Sequence, residues 1–223
     1  FGGAIEYHEA NGAAAKFVWT PSEKVIATGV DTPVVGWRAH RVNTLRLWRA
    51  DPVDPIQLAA FNAGDHTGSL VESNRADALT RVLYPADTSP AGQELRLRQE
   101  YFFTSASLQD ILRRHKQQYG HFENLADKVA VQLNDTHPAI GVAELMRLLM
   151  DEHELDFVEA WALTQGTIAY TNHTLLPEAL ESWPVPLVER LLPRHMQIVY
   201  EINAHLLREA RNVHKMNDEE IRN

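Results

Sequence analysis

The chain contains no cysteine, which excludes a disulfide framework and a thiolate nucleophile, so a zinc site would have to use histidine and carboxylate ligands. It has no apolar run near the roughly 20 residues that a membrane-spanning helix needs. It also has no long basic run, and its formal net charge is −9. That charge argues against nucleic acid or an anionic membrane as the main partner. We therefore expect a soluble, cytoplasmic protein with a neutral, polyhydroxylated or other small-molecule partner.

The eleven histidines show no His-Glu-x-x-His spacing. His137 and His173, which follow the two buried strands predicted below, lie far apart in the sequence and lack the short spacing that is typical of metal ligands. We expect no metal site.

The length of 223 residues, 44% of them hydrophobic, allows a sizeable core and suggests one large domain or most of one. The sequence begins at Phe1 without a methionine or a signal peptide, and it ends at Asn223 in a charged helical stretch. We expect the chain to be an internal piece of a longer polypeptide.

Strand patterns come first in the chain and helical patterns follow. Asn11-Gly12 predicts the turn of a β-hairpin, whereas Thr32-Pro33 and Gly36 are predicted to end the third strand. Alternating or β-branched residues predict four early strands, at residues 1–8, 15–20, 25–31 and 43–48. Apolar spacing and capping residues predict helices at residues 65–84, 93–119, 138–150, 156–168, 186–192 and 194–211. The fold class is therefore α/β, with strands first and then mostly helices with short buried strands.

Polar residues follow two short buried strands, predicted at residues 128–133 and 167–170. The first strand leads into Asn134, Asp135 and His137, and the second leads into Asn172 and His173, after which Pro177 is predicted to begin a helix. Ligands bind at the carboxyl ends of strands in open α/β folds, so these residues are candidates for a binding or catalytic site. The same residues would also serve as ordinary helix caps, and a lone histidine is often structural.

Two further segments each allow two interpretations. The loop at residues 85–92, rich in proline and glycine, would serve as a plain connector or as a gate over a site. Arg113 and Arg114, in the last turns of the longest predicted helix, would complement the helix dipole or bind an anion.

Seven motifs occur in the order found in one protein family. They are Asn43–Trp48, Arg81–Pro85, Glu94–Tyr101, Leu108–Arg114, Gln132–Pro138, Ala169–Glu181 and Leu191–Asn203. Through them the sequence closely resembles the α-glucan phosphorylases, which act on glycogen, starch or maltodextrin. The resemblance covers nearly everything from Phe1 to about Leu207.

The resemblance implies a two-domain fold of the glycosyltransferase-B type, with the active site between the domains and this chain as part of the N-terminal domain. It implies transfer of a glucosyl unit from the non-reducing end of an α-1,4-glucan to inorganic phosphate, giving glucose 1-phosphate with retention. It also implies pyridoxal phosphate as cofactor, held by a lysine of the C-terminal domain. Since that domain is absent, the chain alone is expected to be inactive.

The resemblance also assigns roles to individual residues. His173 is similar to the family's histidine at the glucosyl subsite, and its backbone carbonyl would face the developing positive charge. Asp135, Asn172 and His137 would support substrate binding beside it. In the segment resembling the family's gate loop, Asp87 matches, and Thr88 stands where animal enzymes carry asparagine.

Further expectations concern partners. Arg113 and Arg114 match arginines that bind the phosphate of AMP in animal enzymes. Residues His66–Ala78 resemble the helix through which subunits pair, which implies a homodimer. One alternative is a non-catalytic module for maltooligosaccharide binding or dimerisation. A more distant alternative is a metal-dependent hydrolase using Asp135, His137 and His173.

Overall fold

The computed structural model describes residues 1–8, 16–176 and 180–222. The chain divides into two compact units. The first comprises Phe1 and Glu23–Arg113, and the second comprises Gly2–Ser22 and Arg114–Asn223. Both units combine helices with a two-stranded antiparallel sheet, and the second adds a two-stranded parallel sheet, so the predicted mixed α/β class is confirmed.

Six strands and nine α-helices are present in the described part of the chain, together with a 3₁₀ turn at Gly68–Leu70 and a π-helical turn at Leu148–Glu152. The strands are β1 (Ala4–His8), β2 (Lys16–Thr20), β3 (Val25–Val35), β4 (Val42–Pro52), β5 (Val131–Asn134) and β6 (Ile168–Thr171). The helices are α1 (Leu58–Asn62), α2 (Val71–Arg81), α3 (Pro90–Tyr119), α4 (Leu125–Lys128), α5 (Gly141–Arg147), α6 (Phe157–Thr167), α7 (Val185–Leu191), α8 (Pro193–Asn212) and α9 (Asp218–Arg222). None of these helices has both the length and the apolar character needed to cross a bilayer.

In the first unit, β3 and β4 pair antiparallel and are longer than predicted. β3 continues through Thr32-Pro33, and Pro33 lies opposite Thr44 in the ladder. The prediction that this dipeptide ends the strand is wrong. In a two-stranded sheet each strand is an edge strand, where proline is tolerated because one side of the strand needs no ladder hydrogen bond.

The predicted helix at residues 65–84 is also wrong at both ends. His66 lies in a turn, a single 3₁₀ turn follows at Gly68–Leu70, and only Val71–Arg81 forms an α-helix. The Asp65 carboxylate accepts a hydrogen bond from the Gly68 amide at 2.7 Å, and such side-chain bonds compete with helix formation. The buried residues of α2 are Ala76 and Leu79. The other predicted face residues, namely Leu70, Val71, Ala78, Val82 and Leu83, are exposed.

Helix α3 provides much of the first unit's core. Its predicted apolar positions include five residues that are buried, Leu97, Tyr101, Phe102, Leu108 and Leu112. The helix begins at Pro90 rather than at residue 93. Proline suits the first helical turn, and the Ser89 hydroxyl accepts a hydrogen bond from the Gly92 amide, as a capping residue does.

In the second unit, β1 and β2 form the predicted antiparallel pair, with Ala4 opposite Thr20. The predicted turn at Asn11-Gly12 lies outside the described residues. The Asp156 carboxylate caps α6 by accepting a hydrogen bond from the Glu159 amide at 2.8 Å, which confirms the predicted helix start. Helices α7 and α8 also lie where they were predicted.

In the second unit one predicted helix start is wrong, and another cannot be compared with the structure. The helix after β5 begins at Gly141 instead of Pro138, because residues 136–142 first form a tight turn with i→i+3 hydrogen bonds. Pro177, the predicted start of the other helix, lies outside the described residues. Residues 180–184 are not helical, and helix α7 starts only after Pro184, whose ring disfavours helical geometry at the preceding residue.

The core of the second unit contains a buried charge cluster, which we define as Glu144, Arg147 and His195. Glu144 is fully buried and accepts hydrogen bonds from Arg147 Nε at 2.7 Å and Nη2 at 3.0 Å. His195 Nε2 lies 2.6 Å from the same carboxylate. The cluster links α5 to α8, and the Trp19 ring of β2 contacts His195 edge-on at 5.4 Å.

Protonation in this cluster follows from burial and charge. Burial raises the pKa of Glu144, but Arg147 and the hydrogen bond from His195 outweigh it and lower that pKa to about 2. Burial lowers the pKa of His195, although Glu144 opposes this. The carboxylate is therefore ionised and the imidazole neutral at pH 7. Because an ionised carboxylate can only accept, His195 carries its proton on Nε2.

Replacing Glu144 with Gln in the full-length protein should destabilise the fold strongly, because the buried Arg147 guanidinium would keep only the exposed Glu152 as a counter-charge. Breaking such a pair costs about 3–5 kcal/mol. Calorimetry would measure the fall in melting temperature. The matched control is Asp77→Asn, since Asp77 and Arg81 form an exposed pair worth about 1 kcal/mol or less. Equal falls in both variants would contradict the prediction.

The cluster should also make stability depend on pH. His195 and Glu144 bind fewer protons in the folded state than in the unfolded one, so stability rises with pH. The contribution of His195 is complete above its ordinary pKa of 6.5 and is lost below it. That of Glu144 is complete above 4.5 and is lost as pH falls toward 2. His195→Gln should flatten the fall in melting temperature between pH 7.5 and 5.5, whereas the control His214→Gln, at an exposed site, should not.

Candidate functional site

Strands β5 and β6 run parallel, so their carboxyl ends meet at one edge of the sheet. Asn134 lies opposite Thr171 in the register. One residue further, the Asp135 amide donates a hydrogen bond to the Thr171 carbonyl at 2.9 Å. The two polar segments that the sequence singled out are therefore neighbours. We call this edge, formed by residues 134–137 and 171–174, the strand-end site.

Asp135 has a backbone conformation that few residues adopt. Its φ is 71°, in the left-handed region where Asp and Asn are better tolerated than most side chains. Its Oδ1 atom accepts a hydrogen bond from the Thr136 amide at 2.7 Å. The Thr136 hydroxyl lies 3.4 Å from that oxygen and accepts from the Glu181 amide at 3.4 Å. These bonds fix both the backbone and the carboxylate of the half-buried Asp135.

After β6, two side chains shape the backbone of the strand-end site. The Asn172 Oδ1 atom accepts from the Thr174 amide at 3.2 Å, and the Thr174 hydroxyl accepts from the Leu176 amide at 3.2 Å. Such Asx and Ser/Thr turns hold a loop in place without a helix or strand. His173 lies between Asn172 and Thr174 and is exposed. Its position is thus set by the turns on either side.

His137 lies in the tight turn between β5 and α5 and is half-buried. That turn is held by the hydrogen bond from the Ala139 amide to the Thr136 carbonyl at 2.9 Å. Across residues 1–8, 16–176 and 180–222, no three His, Asp or Glu side chains are arranged to hold a metal ion.

The predicted gate loop belongs to the first unit. The Asp87 carboxylate accepts a hydrogen bond from Arg96 at 3.2 Å, and the Arg96 guanidinium lies 4.8 Å from the centre of the Tyr84 ring. Thr88 is exposed. A Cβ atom on Gly92 would lie 1.9 Å from the Ala86 carbonyl oxygen, so the loop folds against the start of α3 at a distance that only glycine permits.

Arg113 takes part in a row of alternating charges. It donates to Asp110 at 2.6 Å, one helical turn earlier, and Asp110 also accepts from Arg46. Arg46 in turn donates two hydrogen bonds to Asp31, each of 2.6 Å. Arg114 is exposed on the next position of α3. The sequence analysis missed Arg46, Asp31 and Asp110, since nothing in the local pattern connects a strand with a distant helix.

Two residues in the strands themselves were also missed. Gln132 Nε2 donates to the Thr171 hydroxyl at 2.7 Å, across the pair of strands. Alternation gives a signal in retrospect, because Gln132 and Asn134 flank the buried Leu133 and so share the opposite face. The bond itself depends on the register, which the sequence does not show.

The fold and the strand-end site define an α/β protein with a candidate ligand site at the carboxyl ends of parallel strands. The sequence profile of the carbohydrate phosphorylases matches residues 1–223, and the chain belongs to that family.

Several relatives are proteins named glycogen phosphorylase. The one from Haemophilus influenzae is 48% identical over 211 residues, which cover 95% of this chain and 25% of the relative. The muscle form from Oryctolagus cuniculus is 49% identical over 215 residues, covering 93% of this chain and 25% of the relative. The brain form from Homo sapiens is 50% identical over 193 residues, covering 83% and 23%. The chain thus spans about a quarter of the length of these relatives.

Gly92→Ala should displace the loop at residues 85–92, because the added methyl group would overlap the Ala86 carbonyl. We expect faster proteolytic cleavage of the loop in the full-length protein, measured by mass spectrometry of the fragments. Ala91→Ser is the matched control, since Ala91 is exposed and the added hydroxyl should be tolerated. Unchanged cleavage of the Gly92→Ala protein would show that the loop does not depend on this close approach.

Proposed function

We propose that the longer polypeptide containing this chain is an α-glucan phosphorylase. It transfers the glucosyl unit at the non-reducing end of an α-1,4-glucan to inorganic phosphate and releases glucose 1-phosphate with retention. The observation that carries the proposal is the family match along the whole chain, with relatives named glycogen phosphorylase at 48–50% identity. Both segments of the strand-end site lie within the match.

In this proposal His173 is the catalytic residue. Glucosyl transfer passes through a state with positive charge on the sugar ring, and fixed dipoles that present negative ends to this charge stabilise it. The backbone carbonyl of His173 would supply such a dipole, and the turns around it keep the dipole in place. Because those turns are formed before substrate arrives, no free energy is spent on reorienting the carbonyl during the reaction.

Asp135, Asn172 and His137 would contact or orient the sugar beside His173. A neutral sugar offers hydroxyl groups that both donate and accept, so a carboxylate, an amide and an imidazole together match it. Asp87 and Thr88, in the loop that Gly92 constrains, would act as substrate contacts from a gate.

The family implies pyridoxal phosphate, which supplies a phosphate group that relays a proton. A lysine that forms a Schiff base is typically buried, because burial lowers its pKa. Every lysine of this chain is exposed, namely Lys16, Lys24, Lys116, Lys128 and Lys215. This chain therefore does not fit covalent attachment of the cofactor. We propose that it is part of the N-terminal domain of a two-domain glycosyltransferase-B fold, that the other domain holds the cofactor, and that the chain alone is inactive.

Partner contacts complete the proposal. Homodimerisation would use the 3₁₀ turn and helix α2, which take the place of the single helix expected at His66–Ala78. The exposed side chains of Leu70 and Val71, where the turn meets α2, would contribute to that interface. Arg113 and Arg114 are proposed as an anion site, and a cytoplasmic location stays a prediction. A non-catalytic sugar-binding or dimerisation module is the second candidate.

His173→Ala in the full-length protein should lower kcat/KM for phosphorolysis by roughly 10²-fold or more, the scale of losing a positioned transition-state contact. Release of glucose 1-phosphate from maltodextrin is the measurement. His214→Ala is the control, because His214 is an exposed histidine outside the strand-end site. Near-normal turnover by the His173 variant would remove its proposed role. A wild-type protein that binds maltooligosaccharide without any phosphorolysis would favour the second candidate.

A further inference from the structure

We infer that the hydrogen bond between Gln132 and Thr171 is a positioning bridge, which holds the two halves of the strand-end site in register for the reaction. The inference rests on the proposed function. Neither residue is proposed to touch the substrate. Their task is to fix the backbone that carries Asp135, Asn172 and His173.

The bridge crosses the sheet diagonally on one face. In the parallel register Gln132 lies opposite Ala169 and Asn134 lies opposite Thr171, so the Gln132 side chain reaches two positions further along β6. Its Nε2 atom donates to the Thr171 hydroxyl at 2.7 Å, a short and well-formed bond. The contact therefore joins a residue inside β5 to the last residue of β6.

Thr171 is held by both its side chain and its backbone. Its hydroxyl accepts from Gln132, and its carbonyl accepts from the Asp135 amide at 2.9 Å. The next residue, Asn172, begins the Asx turn that leads through His173. A movement of Thr171 would therefore displace the backbone of Asp135 on one side and that of His173 on the other.

The remaining pairing between these strands is short. The β5–β6 ladder contains only the pairs from Val131–Ile168 to Asn134–Thr171, and parallel pairing is slightly weaker per residue than antiparallel pairing. A side-chain bond at the end of so short a ladder adds to the few interactions that keep the last pair, Asn134 and Thr171, closed. Catalytic geometry is sensitive to displacements of about 1 Å, so fraying of this pair would reduce turnover.

Thr171→Val and Thr171→Ser in the full-length protein separate the bond from the shape of the side chain. Valine keeps the branched shape and loses the hydroxyl, whereas serine keeps the hydroxyl. We expect Thr171→Val to lower kcat about three- to tenfold, the scale of one hydrogen bond, with KM for maltodextrin changed by less than about twofold. Thr171→Ser should retain most of kcat. Thr44→Val is the matched control, at an exposed strand position of the first unit.

A second readout does not depend on activity. Deuterium exchange of a peptide covering residues 131–137 should be faster in Thr171→Val than in wild type or Thr171→Ser. The reason is that the hydrogen bond from the Asp135 amide to the Thr171 carbonyl would open more often. The double variant Thr171→Val with Gln132→Leu should lose no more kcat than the larger single loss, since both changes remove the same bond.

Three results would overturn the bridge. They are a wild-type kcat in Thr171→Val, an equal loss in Thr171→Ser, and an effect confined to KM, which would indicate a direct substrate contact. If the wild-type protein shows no phosphorolysis, the proposed function fails with the catalytic part of this inference. The exchange experiment then still reports whether the bond holds the strand ends together.

Discussion

The burial of the Glu144 carboxylate is the constraint on which the second unit depends. An ionised carboxylate without solvent needs compensation, and Arg147 and His195 provide it within 2.6–3.0 Å. Because Arg147 lies on the same helix and His195 on α8, satisfying one charge also fixes how α5 and α8 pack. Helix α5 follows β5 through the turn that begins at Asp135. The buried cluster thus fixes the packing of a helix whose preceding turn carries residues of the strand-end site.

Short-range signals in the sequence predicted the elements well where local bonds decide the structure. Asp156 caps α6 as expected, since its partner is only three residues away. The strand prediction was wrong at Pro33. The free-energy cost of proline in a strand depends on whether a neighbouring strand lies on both sides, and the sequence does not show this. The segment from Asp65 to Tyr84 was predicted as one helix because apolar spacing gives no sign of the hydrogen bond between the Asp65 carboxylate and the Gly68 amide.

In the candidate site, too, local signals in the sequence were informative and long-range contacts were not. Asp135, Asn172 and His173 could be selected from the sequence because each follows an apolar run, and neighbouring strands bring such positions together. Gln132 and Thr171 could not, because their contact exists only in one of the possible registers. The charge row of Arg46, Asp31 and Asp110 was equally hidden, since its members lie on two strands and a helix. Sequence reasoning identified groups with obvious chemistry and missed groups that hold them.

The left-handed backbone of Asp135 limits which mutations this position can accept over evolutionary time. Glycine, asparagine and aspartate adopt that conformation at the lowest free-energy cost, whereas it is strongly unfavourable for β-branched residues. Of these three, only aspartate brings a negative charge. A single substitution to asparagine would remove the charge and keep this backbone conformation. A larger or β-branched side chain would first require a different conformation of the loop after β5. The range of ligands this edge of the sheet could come to recognise is therefore restricted by backbone geometry before any side-chain chemistry is selected.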